Sequence, residues 1–361
     1  MSQLADQWST LWPALAFLLV GVPLAALLDR LGFFEAAASV VLGDGGVDRP
    51  VLGLWVLAAL TTAVLNLDTT VVLLTPLYLR LARRAGVDPI PLVVIPLLLA
   101  SFASSVLPVS NLTTLIVVQR FDLGTLDVLA HLALPSLAAT AVGWWVYRRR
   151  FPTVLPAAAI GATRSTGSTA PPDRRALIIG GAIVAGLLVG FVLGPAIGVD
   201  AWVIALAADL VLVVVTRTLP WHAVPVATAL LVAAIAAAVA LVVPQDALRA
   251  PLHHSSPVAV GVLALAAGAL ANAVNNLPAL LVGADGLHHM TWGMWAWLLG
   301  VNVAAVLLPI GALANLLWLR IMRAEGERVG LRRYVGVTLP VALPACAAAI
   351  AVLVLERIAT A

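Results

Sequence analysis

Charge is scarce in this chain: only 10% of its 361 residues are acidic or basic, where an ordinary soluble domain has about 25%. That shortage leaves no room for a separate water-soluble domain. Cysteine is scarcer still. The single Cys346 excludes an intrachain disulfide and any CxxC redox or metal motif, and its reading is a small buried apolar residue. Before the first apolar run the chain carries Asp6 and no basic residue. The positive n-region of a cleavable signal peptide is therefore missing, and that run is read as a retained helix. Lysine is absent altogether, so all 20 basic residues are arginine.

Apolar residues fill the space that charge leaves, at 62% of the chain. Runs long enough to cross a hydrocarbon core of about 30 Å lie at 12–28, 128–145, 176–193, 224–243 and 335–355. In lipid every backbone amide must be paired internally, which for such runs means helix. The expected fold class is an all-α polytopic membrane protein.

Arginine placement sets the topology, because cytoplasmic loops collect positive charge. Three patches stand out: Arg80, Arg83 and Arg84; Arg148, Arg149 and Arg150 with Arg164, Arg174 and Arg175; and Arg320, Arg323, Arg328, Arg332 and Arg333. The stretch GATRSTGSTAPPD between members of the second patch is rich in small and turn-forming residues and reads as a flexible cytoplasmic linker. The chain then divides into a first repeat at 1–150, a linker at 151–175 and a second repeat at 176–361. These patches are expected to anchor the helix ends against anionic membrane lipids, with no role for nucleic acid.

If 51–79 and 258–287 were straight spans, the patches would fall on opposite sides of the membrane. Folding each into a re-entrant hairpin places all three inside. The first tip is Asn66-Leu67-Asp68 and the second is the segment Asn272 to Asn276. An arm of fifteen residues reaches about 22 Å, too short to cross. The two hairpins enter from opposite faces, the signature of an inverted repeat. After each hairpin comes an interrupted apolar stretch, broken at Pro108-Val-Ser110-Asn111-Leu-Thr113-Thr114 and at Pro309-Ile-Gly311-Ala-Leu-Ala-Asn315. This arrangement gives eight crossings and leaves only Arg120, Arg249 and Arg357 outside.

Broken helices survive at membrane depth only where protein or a watery cavity satisfies their backbone, so they mark transport sites. The expected substrate site is lined by Asn66, Thr69, Ser110, Asn111, Thr113, Asn275, Asn276, Gly311 and Asn315. The competing explanation is helix capping, and Asn276 ahead of Pro278 reads as an N-cap. Capping accounts for single positions; it does not account for four breaks in two matching pairs. Asp68 is the only acid in the breaks. A charge at the bilayer centre costs about 2.5–3.5 kcal/mol on insertion scales, so Asp68 is assigned the coupling proton. Asp209 is a second intramembrane acid outside the repeat motifs. His253, His254, His288 and His289 fall in external loops as adjacent pairs, a poor metal geometry, and no metal or cofactor is expected.

The segments LLDRLGFFEAAA (27–38), NLDTTVVLLTP (66–76), PVSNLTTL (108–115), VNNLPALLVGA (274–284) and LPIGALANLLWLR (308–320) resemble the ion transporter superfamily, and within it the arsenite and antimonite exporters of the ArsB/NhaD group. The resemblance implies an inverted-repeat secondary transporter of the bacterial plasma membrane with two re-entrant hairpins and two broken helices. Its implied activity is export of arsenite or antimonite in exchange for protons, and its implied assembly is a homodimer. Alternatives are the same fold carrying sodium ions or another small inorganic or organic anion. A non-transporting scaffold and a membrane enzyme are the remaining readings; the enzyme would need clustered acids, histidines or a nucleophile at one interface, and none is visible. This sequence departs from the family pattern in three places. Leu67 stands where the family has an Asn beside its Asp. Asn302-Val-Ala-Ala replaces Asn-Leu-Gly-Pro, and Gly311-Ala312-Leu-Ala-Asn315 replaces a Gly-Ser-Leu-Ala-Thr run. Two helices that commonly precede the first segment are missing, so the first repeat is read as shortened.

Overall fold

The computed structural model describes residues 2–43, 49–152, 154, 173–242, 244, 248–284 and 287–360. Most of the expected linker at 151–175, including Arg164, lies outside the described residues. All regular structure among them is helical, as a chain in hydrocarbon requires. The first half contains α1 (Ser2–Arg30), α2 (Phe33–Gly43), α3 (Arg49–Val64), α4 (Leu67–Ala85), α5 (Ile90–Phe102), α6 (Leu112–Phe121) and α7 (Thr125–Arg150). The second contains α8 (Arg174–Leu193), α9 (Ala201–Thr216), α10 (Val226–Val242), the single turn α11 (Arg249–Leu252), α12 (Pro257–Val274), α13 (Asn276–Ala284), α14 (Trp292–Val303), α15 (Leu313–Ala324) and α16 (Leu331–Ala359).

The helices α3 and α4 fold back on one another. Thr62 donates to Thr70 Oγ1 at 3.0 Å, and Tyr78 donates to the Leu54 carbonyl at 2.5 Å. Both pairs are centred on residue 66, so the arms run antiparallel about Asn66. The second hairpin is defined by its packing on α14. Gly293 meets Leu252, Gly300 meets Ala264 and Ala267, and Gly268 meets Ala304, so α12 and α14 run parallel. The return arm α13 descends the same helix: Asn275 reaches the Ile310 carbonyl at 3.0 Å, whereas the Trp297 indole donates to Ala279 at 2.8 Å. Small residues are what allow this approach. A Cβ on Gly268 would stand 2.7 Å from that of Ala304. By length and hydropathy α12 is one of the helices that could cross a membrane, and α13 folds back beside it on α14.

The two halves end on helices that lie antiparallel to one another. Near the start of α7, His131 stacks on Trp295 with centroids 4.5 Å apart, and Arg357, near the end of α16, lies over Trp292 at 5.7 Å. At the other end of α7, Tyr147 donates to the Pro91 carbonyl at 2.5 Å, and Arg333, at the start of α16, pairs with Asp88 at 3.5 Å. The equivalent helices α7 and α16 are thus antiparallel. The backbone repeats with them. Leu107 and Leu308 have φ/ψ of −123°/153° and −125°/153°, and Asn111 and Ala312 have −148°/133° and −146°/155°. Each pair brackets a 3-10 turn, Pro108–Ser110 or Pro309–Gly311. Proline, lacking an N–H, opens each turn.

One end of the molecule gathers the arginines. Arg83 pairs with Glu325 at 3.0 Å, Arg84 approaches Glu35 at 4.0 Å, and Arg148 to Arg150 close α7 beside Tyr147. At the opposite end Arg120 donates to the Ala284 carbonyl at 3.1 Å and Arg357 to that of Ser255 at 2.6 Å. The chain is a multi-pass membrane protein.

Candidate functional site

Both hairpin tips and both helix breaks meet at one cavity of about 330 Å³. Its polar lining is Asp68 and Asn111 from the first half, Thr113 beside them, and Asn275 and Asn276 from the second, with Thr228 on α10. Leu18 of α1 and Leu231, Val232 and Ile235 of α10 make the apolar wall opposite.

Local backbone explains how the tips present these groups. Asn66 has φ/ψ of 137°/174° and Asn275 has 86°/152°. Each side-chain carbonyl then turns onto the next helix: Asn66 Oδ1 accepts from the Thr69 amide at 2.9 Å, and Asn275 Oδ1 from the Leu277 amide at 3.3 Å. The cap of α13 is therefore Asn275, one residue before the expected Asn276. Asn111 does the same at the first break, accepting from the Thr113 amide at 3.2 Å and donating to Ser104 Oγ at 3.3 Å.

Of the ten expected site residues, five line the cavity: Asp68, Asn111, Thr113, Asn275 and Asn276. The other five lie behind it. Asn66 is spent on its cap, and Thr69 is buried with its hydroxyl oxygen unpartnered. Ser110 donates to the Leu107 carbonyl at 2.5 Å and accepts from the Leu107 amide at 3.3 Å. Gly311 packs on the Ala305 carbonyl and the Asn272 side chain, and Asn315 donates to the carbonyls of Ala305 and Leu308 at 2.8 and 3.0 Å. These groups satisfy the interrupted backbone, which is what a helix break needs if it is to persist away from water.

Sequence reasoning missed three participants. Asn272 pins the second break, donating to Gly268 and Ala304 and accepting from the Leu308 amide, each at 2.8 Å. Asn302, 1% exposed, joins the two breaks. Thr228 sits on a helix without any motif. Asparagine in an otherwise apolar run was the available signal for the first two.

Among the described residues Asp68 is the only charged one lining the cavity, with no arginine or histidine beside it, and its Oδ1 is buried without a partner. Asp209 lies elsewhere, on the face of α9 that also buries Ala205 and Leu212, with its own Oδ1 unpartnered. His253 and His289 come together, rings 5.5 Å apart, but they are exposed and remote from the cavity. Cys346 is buried in α16, its thiol facing the Val303 carbonyl at 3.4 Å.

A cavity of this volume has room for a small organic or inorganic solute, with amides, hydroxyls and one carboxyl in its lining. Comparison with known proteins agrees with a transporter of this architecture. The CitMHS family model, described as a citrate transporter, matches residues 8–305. The arsenical pump membrane protein of Yersinia enterocolitica is 25% identical over 97% of this chain and 87% of its own. The protein of the same name from Escherichia coli K12 has the same identity and coverage. Among solved structures, the YdaH transporter of Alcanivorax borkumensis shares the fold with a TM-score of 0.53 at 14% identity, over 98% of this chain and 86% of that one.

Proposed function

This chain belongs to the CitMHS transporter family, within the ion transporter superfamily, and from its cavity lining and its arsenical-pump relatives we propose that it exports arsenite and antimonite in exchange for protons. The observation that carries the reading is the cavity's lining: uncharged amides and hydroxyls around a single carboxyl, Asp68, with no basic residue. At neutral pH arsenite is a neutral trihydroxide, and such a molecule needs hydrogen-bond partners rather than a counter-charge. The curated relatives that align along the whole chain are named arsenical pumps. Asp68 is the residue to which we assign the proton that exchanges for the solute.

Citrate, the solute in the family's description, fits this cavity poorly. Three carboxylates would meet Asp68 with no arginine to receive them. Helix N-termini attract anions through free N–H groups, but at α4, α6 and α13 an asparagine carbonyl already occupies one of those groups. The arginine-rich end is assigned to the cytoplasm by the positive-inside rule, which makes α3–α4 re-entrant from inside and α12–α13 from outside, in a bacterial plasma membrane.

The test is arsenite efflux from cells that lack their own exporters. Expression of the wild-type chain is expected to lower intracellular arsenic and confer resistance, and Asp68→Asn to abolish both. Unchanged accumulation despite confirmed membrane insertion of the wild type would refute arsenite as the solute.

A further inference from the structure

Asn302 sits one residue from the end of α14 and reaches across the repeat boundary. Thr113 Oγ1 donates to its Oδ1 at 2.5 Å. Its Nδ2 donates to Ser105 Oγ at 3.1 Å and to Thr114 Oγ1 at 3.0 Å. All four residues are buried, so each of these bonds forms where water cannot replace it. Thr113 lines the cavity and Asn302 stands behind it.

The repeat shows that folding alone does not demand this link. With Pro108 aligned on Pro309, the counterpart of Thr113 is Ala314 and that of Asn302 is Ser101. The second break therefore has no equivalent pair; it is pinned through backbone carbonyls by Asn272 and Asn315. A side-chain link present in one copy and absent from the other points to a task beyond closing a broken helix.

A hydroxyl owns one proton and two lone pairs. Thr113 commits its proton to Asn302, so its oxygen retains only acceptor capacity. We infer that Asn302 is a positioning and specificity residue: it makes Thr113 a fixed hydrogen-bond acceptor and so selects small neutral solutes that carry hydroxyl donors. The inference rests on the cavity being the solute site. Beside Thr113, one Asn111 amide proton goes to Ser104 and one Asn275 amide proton to Ile310, which leaves each of these amides a single proton for a solute. An ionised carboxylate, which only accepts, meets lone pairs at Thr113. A trihydroxide such as arsenite or boric acid meets an acceptor it can donate to.

The test uses the purified full-length chain in proteoliposomes, with arsenite, boric acid and citrate as probes. Wild type is expected to carry the neutral hydroxides and not citrate. Asn302→Ala and Thr113→Val are each expected to raise KM for the hydroxides about tenfold, the scale of one buried hydrogen bond, with little change in maximal rate. Thr113→Ser is expected to keep wild-type KM. The double variant should be no worse than either single one, because both remove the same interaction. Additive effects, or a loss of maximal rate at constant KM, would overturn the inference in favour of a purely structural role. If Asn302→Ala does not fold, Thr113→Val set against Thr113→Ser decides it. Transport of boric acid without arsenite would sink the arsenite reading and leave the inference standing. Transport of citrate alone, or of none of the three by folded protein, would overturn it.

Discussion

Asn66 and Asn275, the tip residues of two oppositely directed hairpins, share a backbone corner that L-residues rarely enter, with φ of 137° and 86° and ψ of 174° and 152°. That region is essentially reserved for glycine, and occupying it costs on the order of 1–3 kcal/mol per residue. Glycine would hold the corner without strain but would lose the cap that each asparagine carbonyl makes on the following helix. The same compromise in both repeats ties it to the shared architecture of the site.

A stability order follows from those two terms. Gly at position 66 or 275 relieves strain and forfeits a cap worth about 0.5–2 kcal/mol, so Asn66→Gly and Asn275→Gly are expected to unfold near the wild-type temperature. Asn66→Ala and Asn275→Ala keep the strain and lose the cap, and are expected to be less stable than wild type by about 0.5–2 kcal/mol and than their glycine counterparts by about 1–3 kcal/mol. Thermal unfolding in detergent measures this, and an alanine variant as stable as its glycine counterpart would contradict the strain.

The two intramembrane acids should separate cleanly. Asp68 lines the cavity and Asp209 packs in α9 away from it. Asp209→Asn is therefore expected to keep wild-type arsenite efflux, whereas Asp68→Asn loses it. Equal losses in both, in cells with matched membrane levels, would show that the transport pathway extends to α9.

Asn272 offers a test of how the second break is held. Its amide serves the Gly268 and Ala304 carbonyls and the Leu308 amide. Asn272→Ala strands buried backbone groups at about 1–3 kcal/mol each. A clear drop in unfolding temperature is expected, and wild-type stability would mean that water reaches the break.

Val232 is 4% exposed and belongs to the apolar wall that α10 places across the cavity. Val232→Trp is expected to fill the cavity and abolish transport while the protein still inserts and folds, because α10 is otherwise loosely packed, with only 11% of its span buried. Retained uptake in proteoliposomes would place the solute elsewhere.

The membrane class, the two tips and the two breaks were legible in the sequence because each depends on local chemistry. Run length decides what can cross a bilayer, arginine asymmetry argues for segments that turn back, and proline among polar residues marks where an apolar run is interrupted. The tips at Asn66 and Asn275 lie where those arguments put them. Tertiary structure alone decided which polar groups face the cavity. Ser110 shares its break with Asn111 and Thr113, and Asn315 lies in the other, yet both turn to the freed backbone, and no periodicity survives a break to say which way a side chain points. Nor could spacing show α10 as the cavity wall, or Asn302 meeting Thr113 from 189 positions away. Such contacts arise only when the two halves close on one another, since each half by itself leaves its broken backbone exposed.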